Sequence, residues 1–154
     1  SHMTITYRAM IGLDIPVVAA MEKVIFKDDP WSVGQFKEEI SNNGITRHYL
    51  VACDSQHQII GWAGAMCAAP GGDTDVLTIA VDPDYRLRGI ARHMMTSLID
   101  WAYSKNSPKI LLEVETKNLA AQALYISEGF EVISERKDYY GAGIDALVMS
   151  KVLE

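Results

Sequence analysis

Apolar and polar positions along the chain divide it into short, clearly punctuated elements. Ile5 and Tyr7 alternate with polar neighbours, the period of two expected of a strand. Across residues 13–24 and just beyond, Ile15, Val18, Ala19 and Ile25 recur at three- and four-residue spacing, which predicts a helix. Pro30-Trp31-Ser32 reads as a stop followed by an N-cap, so Ser32 opens a second short helix carrying Phe36 and Ile40; Asn42-Asn43-Gly44 ends it. Residues 47–53 and 59–69 read as strands, and the short polar turn 54–58 between them makes the pair antiparallel. After the break at Pro70-Gly71-Gly72-Asp73, residues 76–81 add a third apolar strand that stops at Asp82-Pro83. Residues 89–104 carry Ile90, Ala91, Met94, Met95, Leu98, Ile99 and Ala102 as one helical stripe. A strand at 110–114, a helix at 119–127 and strands at 130–137 and 146–153 complete the order β-α-α-β-β-β-α-β-α-β-β. That order predicts an α/β (α+β) architecture, with one mixed central sheet and helices packed on it.

Composition narrows what such a fold can do. The chain has 154 residues, 49% of them hydrophobic and 22% charged, enough apolar side chain for a single packed core. Ser1 and His2 before Met3 resemble the scar of a cleaved tag, which leaves residues 3–154 as one expected domain. Lys and Arg number 14 against 20 Asp and Glu, a formal charge of -6, which argues against a general nucleic-acid binder and suits a cationic substrate. The longest apolar run, 59–69, is about half the length a membrane span needs. Cys53 and Cys67 fall in apolar stretches without a CxxC pair, so no metal site or disulfide is expected. They read as small core residues of a protein in a reducing cytoplasm.

The most informative stretch joins the third apolar strand to the long helix. The strand ends at Asp82-Pro83, and a turn bearing Arg86, Arg88 and Gly89 delivers the chain into the helix, with Arg92 one turn in. A helix N-terminus presents unpaired N–H groups and a partial positive charge, so it suits an anion. Gly89 and Ala91 keep the approach clear of side chain, as a pyrophosphate requires. A GxxxxGK[ST] loop is absent, and the three glycines of a dinucleotide fingerprint are absent too.

The pattern Arg86-x-x-Gly89-x-Ala91 after a strand ending in Asp-Pro resembles the acyl-CoA loop of the GNAT acetyltransferases, and the element order matches that fold. The run Asn118-x-x-Ala121-x-x-Leu124-Tyr125-x-x-x-Gly129-Phe130 is similar to a second segment of the same family. The resemblance implies a GNAT sheet of about seven strands with about four helices, and acetyl-CoA as cosubstrate. It implies that Ile79, Ala80 and Val81 pair with the pantetheine arm, with the N–H of Val81 polarising the thioester carbonyl. The pyrophosphate would lie on the N–H groups of Leu87, Arg88, Gly89, Ile90, Ala91 and Arg92, and Asn118 would bond the CoA arm.

Transfer of an acetyl group to an amine needs a base, a polarised carbonyl and an acid for the departing thiolate. Glu113 interrupts the apolar strand Ile110-Leu111-Leu112-Glu113-Val114, where a carboxylate either faces a cavity, with a raised pKa, or points to water from an edge. Tyr125, read by itself, is a packing residue of its helix. The resemblance makes Glu113 the base and Tyr125 the acid, and Glu115 is a possible second carboxylate.

Pro30-Trp31-Ser32, Ile79 to Tyr85 and Arg136-Lys137-Asp138-Tyr139-Tyr140 resemble the branch of that family that acetylates the N-terminal alanine of a bacterial ribosomal protein. Trp31, Tyr139 and Tyr140 would then contact the acceptor peptide, although Gly141-Ala142-Gly143-Ile144 replaces the proline expected after the tyrosines. The implied partner is the basic N-terminal segment of a protein substrate; the sequence leaves the oligomeric state open, with a monomer favoured. Two other readings stand beside this one: transfer to a lysine side chain or small amine, and a CoA-binding module without catalysis.

Overall fold

The structure is a computed structural model that describes residues 4–154; the expected tag scar, Ser1 and His2, lies outside the described residues. The elements follow in the order read from the sequence: β1 (Thr6–Ala9), α1 (Ile15–Ile25), α2 (Val33–Ile40), β2 (Arg47–Cys53), β3 (Ile59–Met66), β4 (Thr74–Val81), α3 (Ile90–Ser104), β5 (Lys109–Glu115), α4 (Leu119–Ser127), β6 (Glu131–Arg136) and β7 (Ala146–Val152). Most ends agree within two residues. The first helix begins as a 3-10 turn, Gly12–Asp14, and becomes α-helical at Ile15 with Pro16 in its first turn. Ser32 caps α2 as a reciprocal box: its hydroxyl accepts from Gln35 N at 3.2 Å, and Gln35 Oε1 accepts from Ser32 N at 2.8 Å.

Two strand ends differ from the sequence reading. β3 stops at Met66, because the turn to β4 begins at once: Cys67 Sγ lies 3.1 Å from Ala69 O, and Gly72 N donates to Ala69 O. Cys67 is therefore buried just beyond the strand, and Cys53 is buried at the end of β2; both are free thiols. β4 begins earlier, at Thr74, since Thr74 and Asp75 pair with β5 despite their polar side chains.

The strands form one seven-stranded sheet in the order β1-β2-β3-β4-β5-β7-β6. All neighbours are antiparallel except β4 and β5, which are parallel and pair only at Thr74 with Ile110 and Asp75 with Leu111. Beyond that point β4 stays on β3 and β5 stays on β7, so the sheet opens as a wedge. A bulge sharpens the opening: Gly64 pairs with Thr78 and Ala65 with Val76, leaving Leu77 as the extra residue of β4. One face of the sheet packs on α3 and α4 through Met94, Met95, Leu98, Ile110, Leu112, Val114 and Tyr125. The other packs on α1 and α2 through Ile15, Val18, Phe36, Tyr49, Trp62 and Ala80.

Candidate active site

The wedge between β4 and β5 opens into a cleft of about 1050 Å³. Antiparallel geometry determines what β4 presents to it. Asp82 N donates to Ile60 O on β3, so Ala80, two residues back, also turns its backbone toward β3. Ile79 and Val81 therefore turn their N–H and C=O groups away from β3, into the wedge, where an extended amide-bearing chain could pair with them.

At the far end of β4, Gly89 is the N-cap of α3 with φ 77°, and Leu87 just before it has φ 63°. Gly89 brings no side chain to the helix N-terminus, whose first residues line the cleft. A Cβ placed on Gly89 meets no protein atom within 4 Å, so the turn borders open space of the kind a pyrophosphate needs.

The cleft gathers nearly every residue singled out from the sequence: Ile79, Ala80 and Val81, then Leu87, Gly89, Ile90, Ala91 and Arg92, then Asn118, Tyr125, Trp31, Glu113, Tyr139 and Tyr140. Arg88 is the exception, since its guanidinium lies over the Tyr85 ring at 5.3 Å instead of lining the cleft. Two others already carry structural duties. Arg92 holds Glu128 at 2.6 Å and Ser127 at 3.0 Å, which ties α3 to α4. Asn118 caps α4 by accepting from Ala121 N through Oδ1.

Glu113 and Tyr125 reach the wedge from opposite faces. Leu112 and Val114 belong to the α3–α4 core, so Glu113 between them projects toward α1 and α2. Tyr125 comes from α4 on the other side, buried with Phe130 at 6.0 Å between ring centroids. Burial raises the Tyr125 phenol above its ordinary pKa, so at neutral pH it is a protonated donor. Glu113 is half-buried; burial first, and then the Asp75 carboxylate, push its pKa up, while the Arg136 guanidinium opposes both.

One wall of the cleft is acidic. Asp28, Asp29, Glu113 and Glu115 all line the cleft, and burial together with the facing Asp28 carboxyl raises the pKa of Glu115. Aromatic rings close this wall. Trp31 packs on Phe36 at 5.2 Å, and Tyr139 meets Tyr140 edge-on at 4.9 Å. The loop carrying the tyrosines is held by Tyr140 N to Ile144 O, Asp138 N to Asp145 Oδ1 and Gly143 N to Asp138 Oδ1. Gly141 and Gly143 take the positive φ angles that this tight return requires, which accounts for glycines where a proline was expected.

Sequence reasoning passed over Glu22. It sits on the inner stripe of α1, seven residues after Ile15, and is 1% exposed. Its Oε2 accepts from Trp62 Nε1 at 2.8 Å at the edge of the cleft, and burial pushes its pKa up to about 7. The signal was a carboxylate in register with Ile15, Val18 and Ile25. Arg136 and Asp75, which flank Glu113, gave no such signal because their partners lie on other strands.

Residues 18–130 match the model of the acetyltransferase (GNAT) family. The chain belongs to that family. The N-alpha-acetyltransferase RimI of Mycobacterium tuberculosis is 34% identical over 151 residues, 96% of this chain and 92% of that protein. An uncharacterized protein of Mycobacterium leprae is 38% identical over 142 residues, 90% of this chain but 38% of that longer protein. Among solved structures, the ribosomal-protein-S18-alanine N-acetyltransferase of Escherichia coli superposes with a TM-score of 0.84 at 27% identity, covering 98% of this chain and 95% of that one. As a GNAT member the chain is an acetyl-CoA-dependent acyltransferase. Among the described residues no group of three or more His, Cys, Asp or Glu could hold a metal ion, and no helix is long and apolar enough to cross a membrane.

Proposed function

We propose that this protein transfers the acetyl group of acetyl-CoA to the N-terminal α-amine of a protein with a basic N-terminal segment, an N-terminal alanine of a ribosomal protein being the acceptor suggested by its relatives. The observation that carries this reading is the placement of Glu113 and Tyr125 on opposite faces of one wedge. The pantetheine arm pairs with Ile79 and Val81, and the pyrophosphate lies on the N–H groups from Leu87 to Arg92, with Nδ2 of Asn118 donating to the arm while its Oδ1 caps α4. Glu113 removes a proton from the acceptor ammonium. The amine nitrogen then bonds to the thioester carbon while an N–H of β4 polarises the carbonyl. Ile79 lies closer than Val81 to the level of Glu113, since the last paired residues are Asp75 and Leu111. As the carbon–sulfur bond breaks, Tyr125 gives its proton to the thiolate, and the second proton shed by the acylated nitrogen restores the phenol, leaving a neutral amide and free CoA thiol.

Proton energetics and charge support an α-amine. At pH 7 its deprotonation costs about 1 kcal/mol, against roughly 4–5 for a lysine amine, and a single half-buried glutamate suits the smaller task. The acidic wall of Asp28, Asp29 and Glu115 suits basic residues following the acetylated one. Trp31, Tyr139 and Tyr140 would clamp the first residues of that peptide.

The test is a panel of peptides beginning Ala-Arg, Ser or Met, assayed with acetyl-CoA by thiol release. Turnover of the Ala-Arg peptide, abolished by blocking its α-amine, is the expected result. Turnover of polyamines or of α-blocked lysine peptides alone would overturn it, and acetyl-CoA binding without turnover of any amine would leave only a binding module.

A further inference from the structure

Thr78 is 7% exposed and lines the cleft, and its Oγ1 is buried without a hydrogen-bond partner among the described residues. Native proteins rarely leave a buried hydroxyl unsatisfied, because it loses water and gains nothing in return. Its neighbours show the contrast: Thr74 Oγ1, four residues earlier on the same strand, meets Ser107 Oγ at 2.7 Å.

The direction of the Thr78 side chain follows from the pairing. Thr78 opposes Gly64, and Gly64 opposes Tyr49, whose ring occupies the space a Cβ on Gly64 would take. Paired residues project on the same face, so Thr78 faces α1 and α2, as does Ala80 two residues on. Glu113 projects to that face as well. Along the wedge, Leu77 and Glu113 each lie two residues beyond the last paired positions, Asp75 and Leu111. The bulge at Leu77 then brings Thr78 to the opening opposite Glu113.

We propose that Thr78 is a further substrate-positioning residue, whose hydroxyl accepts a hydrogen bond from the acceptor amine and holds its lone pair toward the thioester carbon. The proposal rests on the transfer reaction given above and adds the residue that orients the nucleophile. Glu113 on β5 takes the proton, and Thr78 on β4 fixes the nitrogen; orientation of this kind raises the rate without new chemistry. The hydroxyl stays unpaired within the protein so that it can pair with the substrate.

Thr78→Val keeps the shape of the side chain and removes only the hydroxyl, and Thr78→Ser keeps the hydroxyl. Melting temperature, acetyl-CoA affinity and steady-state rates on whichever amine the wild type accepts best are measured for all three proteins. The Val variant is expected to melt at or above the wild-type temperature and to bind acetyl-CoA normally. Its kcat/KM for the amine should fall by roughly 10- to 100-fold, the loss typical of a hydrogen bond to a polar or charged substrate group. The Ser variant should stay within about threefold of the wild type, a small change on the same scale. A Val variant as active as the wild type overturns the proposal, and so does a Ser variant that loses as much as Val. A lower melting temperature in the Val variant would show Thr78 to be structural and also overturns it. If the wild type accepts amines but no peptide α-amine, the N-terminal reading fails while the Val-to-Ser comparison still decides the role of Thr78. Turnover of no amine by the wild type overturns both.

Discussion

The Arg136 guanidinium stands 3.8 Å from the Glu113 carboxylate and lies over the Tyr139 ring at 4.3 Å. One cation on β6 thus touches both the candidate base and the candidate peptide clamp. Around Glu113, Asp75 on β4 raises the pKa and Arg136 lowers it, with Tyr139 and Tyr140 on the adjoining loop. A base must be ionised to act, so the acid limb of kcat/KM follows the Glu113 pKa. Arg136→Gln should move that limb to higher pH, Asp75→Asn to lower pH, and Arg136→Lys should leave it near the wild-type position. Profiles of kcat/KM against pH check all three, and limbs that stay in place in both neutral variants would remove Glu113 as the titrating base.

Tyr125→Phe keeps the packing against Phe130 and removes the phenolic proton. Turnover should fall by about 100-fold or more, the usual worth of a general acid, with acetyl-CoA affinity near normal. Single-turnover rates together with binding titrations separate the two quantities. An unchanged rate would mean that the thiolate finds its proton elsewhere.

Gly89→Val places a branched side chain in the open space at the start of α3, at a φ of 77°. The left-handed conformation costs roughly 1–2 kcal/mol for a residue with a Cβ, so the fold should survive with a lowered melting temperature. Acetyl-CoA binding should be lost, because the added methyl groups occupy the approach to the helix N-terminus. Calorimetric titration of the folded variant is the measurement; normal affinity would place the pyrophosphate somewhere else.

Glu22 gives the stability of the fold its own pH dependence. Its folded pKa is pushed up to about 7 by burial, above the value near 4.5 that it has when unfolded. Between these values the native state holds a proton that the unfolded state releases, so stability is full at the acid end and declines as pH rises toward 7. Glu22→Gln keeps an acceptor for Trp62 Nε1 and carries no charge. Relative to the wild type it should gain about 3 kcal/mol between pH 4 and pH 8. Denaturant midpoints across that range test this, and wild-type and variant curves that run parallel would contradict it.

The residues that could be read directly were those whose structure is decided by near neighbours. The Ser32–Gln35 box, the Asp82-Pro83 stop and the stripe from Ile90 to Ala102 are local, so element order and most boundaries followed from the chain itself. Gly89 was legible as the residue without a side chain at the start of a helix, whereas its φ of 77° and the left-handed Leu87 before it came only with the structure. Arg88 and Arg92 looked equivalent beside it. Their difference depends on Tyr85 and on α4, one turning the first aside and the other holding the second.

By itself, then, the amino-acid sequence determined the elements, a glycine-bearing turn suited to an anion, and the presence of a carboxylate and a tyrosine in segments that resemble those of an acetyltransferase family. Tertiary structure alone decided that β4 and β5 part after Asp75 and Leu111, and that Glu113 and Tyr125 meet the wedge from opposite faces. It also decided that Thr78, Glu22 and Arg136 border the same cleft or its base. Backbone propensity and capping act over a few residues, whereas strand pairing joins segments dozens of residues apart. The cavity exists only where that pairing stops.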